Sequence, residues 1–148
     1  MSQLSSQMAV SEEVMMTAVT DLKNGKIQDA IARFADKFRF KDYGLGLKSK
    51  DIEQLGEFFQ KTRELYPDSV FLTETIFLSG DHVITEWTLQ GILAESFYGL
   101  TRRVPISLHG AHIVRTENGL ITHWVDYYDG LTAWRTALAS YFTEWNEL

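Results

Sequence analysis

The sequence predicts an α+β fold in one domain, with helices gathered at the front and antiparallel strands behind. Residues 11–65 place apolar side chains at helical spacing, whereas residues 70–129 switch to β-branched and aromatic runs separated by short turn signals. Size adds a further bound: 148 residues that are 45% hydrophobic and 13% aromatic suffice for one substantial core. Residues 11–148 therefore read as a single domain, behind a Ser/Gln-rich tail at 1–10 that is expected to be disordered.

The elements follow in order. Ser11, ahead of two acids, is the expected cap of a first helix with the stripe Val14, Met15, Ala18, Val19 and Leu22, and Asn24-Gly25 stops it. Ile27, Ala30, Ile31 and Phe34 mark a shorter second helix ending near Ala35. Phe38 to Tyr43 reads as a brief strand before a loop at Gly44 and Gly46, and Ile52, Leu55, Phe58, Phe59 and Leu65 give a third helix stopped by Pro67. Val70 to Ser79 and His82 to Gly91 make a hairpin across Gly80-Asp81. Arg102 to Thr116 and Leu120 to Asp129 make another across Asn118-Gly119. A last helix from about Leu131 carries Trp134, Leu138, Tyr141 and Phe142 on one side. The loop Gly91 to Leu100 reads equally as a lid or as part of an interface, and the segment around Trp145 as a cover for a cavity mouth or for a partner subunit.

Charge and composition exclude several classes of function. With 14 Lys+Arg against 20 Asp+Glu, the formal net charge is -6, and no basic run is present to neutralise a phosphate backbone, so nucleic acid is not an expected partner. The absence of cysteine removes disulfides and thiolate ligands or nucleophiles. No stretch reads as a signal peptide or as an apolar run long enough to cross a bilayer, so a cytoplasmic protein with no membrane partner is expected.

The chemistry concentrates in "ITHWVDYYDG", Ile121 to Gly130. A curved sheet over a helix layer has a concave face. If Asp126 looks into it, strand alternation gives Trp124, Tyr128 and Thr122 the same face and turns His123, Val125, Tyr127 and Asp129 outward. A carboxyl inside an aromatic wall is poorly solvated, so its pKa rises toward the range useful for proton transfer at neutral pH. Asp129, followed by Gly130 and the last helix, has the plainer role of an N-cap.

Histidine placement depends on register. A two-residue turn at Asn118-Gly119 pairs Ala111 with Asp126 and puts His109 on the cavity side. A three-residue loop with a glycine bulge pairs Gly110 with Asp126 and puts His112 there. Ile106, Leu108, His112 and Val114 form the more apolar face, so His112 is the expected inward histidine, and Gly110 leaves space beside the acid. Such a histidine donates to a substrate oxygen, relays a proton, or rests hydrogen-bonded in the wall. His109 and His112 are three apart on a strand and so lie on opposite faces, which argues against a metal. His82 and His123 read as surface or turn residues.

The element order, the "NGKIQDAIARFADKFRFKDYG" stretch, the "HGAHIVRTENGLITHWVDYYD" hairpin and the closing helix together resemble the nuclear transport factor 2-like superfamily. Within it the chain is similar above all to the SnoaL-like polyketide cyclases, limonene epoxide hydrolase and ketosteroid isomerase, over roughly Ser11 to Phe142. The resemblance implies a cystatin-like cone, in which a curved antiparallel sheet wraps around N-terminal helices, with a C-terminal helix and a ligand in the conical cavity between the layers. It also implies roles. Asp126 falls at the catalytic acid of limonene epoxide hydrolase, and Asp42, aligned through "RFADKFRFKDYG", at the general base of ketosteroid isomerase, with Phe40 two residues earlier on the same face. Two carboxylates in one pocket repel, leaving one protonated and the other charged. The other reading of Asp42 is a loop aspartate in solvent.

Departures from those patterns are equally specific. Trp87 stands where limonene epoxide hydrolase has an arginine, and Leu89 where it has an acid. Ala18 replaces the oxyanion-hole tyrosine of ketosteroid isomerase, and its second hole acid falls near Ala111. What remains is nearest to the SnoaL-like cyclases, in which a positioned carboxylate moves a proton next to a carbonyl without a cofactor so that an aldol closure proceeds.

The expected activity is a cofactor-independent acid/base reaction, a cyclisation, isomerisation or related lyase or hydrolase step, on a small hydrophobic carbonyl-bearing molecule. Asp126 is the expected general acid/base, with Asp42 and His112 assisting. Trp87, Trp124, Tyr128, Phe40, Tyr43, Leu89, Leu108 and Gly110 are expected to shape the pocket, although the large aromatic residues also read as ordinary core. The alternative is a non-catalytic module of the same fold that binds a small ligand or dimerises. A homodimer would use the outer sheet face, where Ile113, Val125 and Tyr127 form an apolar patch.

Overall fold

Periodicity and turn chemistry resolve into defined helices and strands in the computed structural model, which describes residues 3–95, 97, 100 and 102–142. The order is α1 (Gln3–Lys23), α2 (Ile27–Ile31), β1 (Phe34–Asp42), β2 (Leu47–Ser49), α3 (Ile52–Leu65), β3 (Val70–Ser79), β4 (His82–Leu93), β5 (Val104–Glu117), β6 (Leu120–Tyr128) and α4 (Leu131–Phe142). The side chains of Tyr141 and Phe142 and the segment around Trp145 lie outside the described residues, as does part of the loop after β4.

The strands form one open sheet in the order β2-β1-β6-β5-β4-β3. This is the expected α+β architecture, with one parallel pair, β1 against β6, among antiparallel neighbours. A parallel pair needs a long crossover, and the chain from β2 through β5 supplies it. Helix α1 lies across the concave face against β3, β4, β5 and β6.

Three local expectations are corrected. Helix α1 takes in residues 3–10, so Ser11 is not its cap. Ser11 sits in mid-helix, 1% exposed, its hydroxyl bonded to the Gln7 carbonyl at 3.0 Å and paired with the Thr116 hydroxyl at 2.6 Å. Phe34 opens β1 rather than closing α2, because its ring packs edge-on against Phe38 at 5.2 Å and stacks on Trp124 of the neighbouring strand at 5.9 Å. Part of the expected glycine loop, Leu47–Ser49, pairs with the end of β1 as an edge strand. Asp129 acts as anticipated, accepting from the Leu131 amide at 3.0 Å at the start of α4. The Asp51 carboxylate, not singled out in the sequence, caps α3 by accepting from the Glu53 and Gln54 amides at 2.9 Å.

The β5–β6 hairpin follows neither of the two registers considered. Asn118 (φ 51) and Gly119 (φ 75) form a two-residue turn, with Glu117 opposite Leu120. One residue later the pairing jumps from Thr116–Ile121 to Arg115–His123, which leaves Thr122 as a bulge. From there on every partner is displaced, and Asp126 lies opposite His112 rather than Ala111 or Gly110. The bulge also takes Thr122 off the concave face. Its hydroxyl turns to the Arg115 carbonyl at 3.3 Å, and Ile121 occupies the inward place, fully buried.

The core has two lobes. Met15, Ala18, Phe34, Phe38, Phe40, Leu55, Phe59, Val83, Val114, Ile121 and Trp124 pack beneath α1 and α3. Trp87, Leu93, Phe97, Val104, Ile106 and Leu108 form the second lobe with Ala133 and Ala137 of α4. Trp134 and Leu138 stay 39% and 54% exposed, since the small residues of α4 are the ones that approach the sheet.

Gly110 gives this packing a direct test. A methyl group there would overlap the Trp87 ring and lie 2.6 Å from the Tyr127 carbonyl, and a backbone atom cannot step aside. Gly110→Ala is expected to cost about 1–3 kcal/mol in urea denaturation. Unchanged stability would mean that the Trp87 ring and the β6 backbone at Tyr127 do not approach Gly110 this closely.

Candidate active site

Between the concave face and helices α1 and α3 lies a cavity of about 170 Å³. Asp42 reaches it from the end of β1, Trp87 and Leu89 from β4, Leu108 and His112 from β5, and Trp124, Asp126 and Tyr128 from β6. Strand periodicity brings these eight expected residues together, because β4, β5 and β6 present alternate side chains to one hollow.

Three other expected wall residues stand elsewhere. Phe40 is 2% exposed and packs on Phe58 and Phe59 at 5.0 and 5.8 Å, so it supports α3 from behind the cavity. Tyr43 falls past the end of β1 with the opposite parity and stacks on Tyr127 on the outer face at 4.9 Å, 55% exposed. Gly110 does not line the hollow; it makes room for Trp87. The helical side of the wall, with Lys23, Arg63 and Tyr66, was not foreseen, nor was Phe71 of β3. A 3.6-residue projection of α3 could have placed Arg63 near Phe59, but Tyr66-Pro67 carried only a stop signal.

The two carboxyl groups have unequal surroundings. Asp42 and Asp126 are paired residues of the parallel strands. Asp42 accepts the Leu45 amide at 2.7 Å and the Tyr128 hydroxyl at 3.0 Å; burial pushes its pKa up, and the bonds from Leu45, Tyr128 and the Gly44 amide pull it back. Asp126 accepts the Trp124 indole N–H at 3.0 Å. Burial dominates there, the Trp124 bond opposes it, and the charge of Asp42 adds to it, so Asp126 is pushed up to about 8. Asp126 is therefore the group that holds its proton toward neutral pH, and the bonds from Leu45, Tyr128 and Gly44 favour charge on Asp42.

His112 lies 3.7 Å from Asp126, Nδ1 to Oδ1. No ion pair forms, since burial holds the imidazole down to about 4 and the carboxyl opposite is protonated. At 3.7 Å no hydrogen bond joins Nδ1 to the acid, whose Oδ1 already accepts the Trp124 indole N–H. Tyr128 is pushed up by burial and then by Asp42, and stays a phenol. Two buried nitrogens on the wall, Trp87 Nε1 and His112 Nε2, have no hydrogen-bond partner. An unmet donor in an apolar wall marks where a ligand oxygen would be held.

The remaining histidines lie away from this hollow. His109 is on the opposite face of β5, 2.9 Å from the Thr88 hydroxyl, and His82 pairs with Asp81 at 2.7 Å in the β3–β4 turn. Among the described residues, no group of three His, Asp or Glu side chains is arranged to hold a metal ion.

The raised acid has a consequence for stability. An aspartate near 3.8 unfolded and about 8 folded leaves the native state binding the extra proton between those values, so it lowers stability progressively as pH rises from about 4 to 8. His112, held down to about 4, acts oppositely, and its contribution rises from about pH 4 to 6.5. Asp126→Asn removes the first effect and retains the second. In thermal unfolding the variant should be the more stable protein at pH 8, with an advantage that shrinks toward pH 4 by up to about 1.4 kcal/mol per pH unit. A gap that does not vary with pH would contradict this.

Comparison with known proteins bears on the fold and the family. No curated protein matches the chain. Among solved structures, a protein assigned as a SnoaL-like polyketide cyclase from Jannaschia superposes with a TM-score of 0.78 at 16% identity, over 94% of this chain and 96% of its own. A protein of ketosteroid isomerase-like fold from Catenulispora acidiphila, in complex with trimethylamine, gives 0.72 at 19% identity over 84% and 92%. An LEH-like epoxide hydrolase of M. tuberculosis gives 0.69 at 15% identity over 89% and 92%. These likenesses establish the nuclear transport factor 2-like fold. The SnoaL-like polyketide cyclase profile matches residues 13–136, and the chain belongs to that family.

Proposed function

We propose that the chain catalyses a cofactor-independent proton transfer on a small hydrophobic molecule bearing carbonyl groups, with Asp126 as general acid/base. The observation that carries this reading is the carboxyl of Asp126, buried inside an aromatic cavity beside Asp42, where burial pushes its pKa up to about 8. A group poised near 8 is a strong base in its ionised fraction and a competent acid otherwise.

In a cyclisation, Asp126 takes the proton from a carbon next to a carbonyl, and the resulting enolate oxygen accepts from Trp87 Nε1–H and His112 Nε2–H. The enolate carbon then closes on a second carbonyl, a C–C bond forms, and the new alkoxide recovers the proton from Asp126. Protons and electrons balance, with no external oxidant or reductant. Preorganised donors in an apolar wall suit the oxygen on which charge develops. Asp42, through its charge, keeps Asp126 basic, and Tyr128 steadies Asp42. An isomerisation uses the same first half with return of the proton to another carbon.

The test uses aromatic polyketide esters and ketosteroids as trial substrates. With a compound that turns over, Asp126→Asn should lower kcat by about a hundredfold or more while binding changes little; full activity in that variant would remove Asp126 from the mechanism. Asp42→Asn takes away the neighbouring charge, so the pH at which activity develops should move to lower values. An unmoved profile would mean that the two carboxyls do not interact. Tight binding of a trial compound without turnover in the parent protein would favour a ligand-binding module instead.

A further inference from the structure

The cavity has opposite chemistry at its two ends. Its deep end is made of buried groups, Asp42 at 3% exposure and His112 at 1%, with the negative charge held on Asp42. Its outer end is formed where the last turns of α1 and α3 meet, and there the exposed lining side chains include Lys23 and Arg63. Among the described residues neither cation has a carboxylate within ion-pair distance. The Arg63 Nη1 donates to the Leu22 and Lys23 carbonyls at 2.8 and 3.0 Å, which fixes the guanidinium at the rim. The Lys23 ammonium lies 5.9 Å from the centroid of Phe71, whose ring is 5.2 Å from Trp87 and 6.2 Å from His112. One aromatic ring thus separates the rim cations from the unpartnered nitrogens of the floor.

Cations at helix C-termini complement the helix dipole, and that accounts for the two carbonyl bonds of Arg63. The same dipole favours Lys23, the last residue of α1, whose ammonium also leans over the Phe71 ring of the cavity wall. The acids that line the cavity, Asp42 and Asp126, lie at its floor, so on a chain with a formal charge of -6 its mouth is locally cationic and favours an anion there. The charged Asp42 opposes an anion at the floor.

From this polarity we infer that the ligand is an amphipathic acid, with a carboxylate held at the rim by Lys23 and Arg63 and an apolar, carbonyl-bearing body inserted toward Trp87 and His112. The placement of the carbonyl rests on the function proposed above; the anionic end rests on the rim alone. Such a ligand enters in one orientation, body first.

Calorimetry on the whole chain with 4-(2-naphthyl)-4-oxobutanoate and its methyl ester tests this, because the two share a body and differ in charge. The acid should bind about tenfold more tightly at low ionic strength, the sum of two exposed ion pairs, and lose that advantage in about 0.5 M salt. Lys23→Glu should abolish the preference while changing ester affinity less than about twofold, and Arg63→Gln should reduce it. Equal affinity of acid and ester for the parent protein, equal weakening of both by Lys23→Glu, or failure of both to bind would overturn the inference. Asp126→Asn should keep the acid preference whatever it does to turnover, so a wrong catalytic assignment and a wrong head group give different results.

Discussion

The parallel pairing of β1 with β6 places Asp42 beside Asp126 in one poorly solvated hollow, and the rest of the site follows from burial, with the Asp42 charge adding to it, keeping the proton on Asp126. Hydrogen bonds decide the distribution. The Leu45 and Gly44 amides and the Tyr128 hydroxyl favour charge on Asp42, whereas Asp126 has the Trp124 indole. A protonated Asp126 in turn leaves His112 without an anion to face, and burial then keeps the imidazole neutral. Neutral acid, neutral imidazole and buried indole form a wall suited to a carbonyl, with the negative charge held to one side.

Packing makes that arrangement rigid. Trp124 stacks on Phe34 at 5.9 Å, lies 4.9 Å from His112, and donates to Asp126, so one side chain joins the hydrophobic core to the proton-bearing group. Phe71 is parallel to His112 to within 3° and leans on Trp87. Burying an acid and leaving two nitrogens unmet both work against folding, and the aromatic packing around them offsets that cost. Sites that sacrifice stability in this way are typical of places where a protein binds or transforms a ligand.

Much of this was legible in the sequence, because long strands carry an unambiguous period. The faces of β4, β5 and β6 brought Trp87, Leu89, Leu108, Trp124, Asp126 and Tyr128 to one hollow, and Asn118-Gly119 marked its turn. Single-residue events were not legible. The bulge at Thr122 has no compositional signature, yet it shifts the pairing of the whole hairpin, and His112 meets Asp126 through it rather than through either simple register. Phe34 satisfies a helical stripe and a strand equally, so Trp124 on a distant strand decides. Phe40 shares the inward face of β1 with Asp42, but only the approach of α3 determines that it becomes core. The rim cations required knowing that the ends of α1 and α3 converge, which is tertiary information. Family resemblance fixed the fold and left the reaction open, as expected for a scaffold that carries many chemistries.

The central claim is that the Asp126 carboxyl holds its proton near neutral pH. Carbon-detected NMR titration of selectively labelled aspartate, with the Asp126 resonance assigned by its absence in Asp126→Asn, measures this directly. A midpoint near 8, accompanied by a small inflection from Asp42 at lower pH, is the predicted result. A midpoint near 4, that of an ordinary solvated carboxylate, would contradict the account.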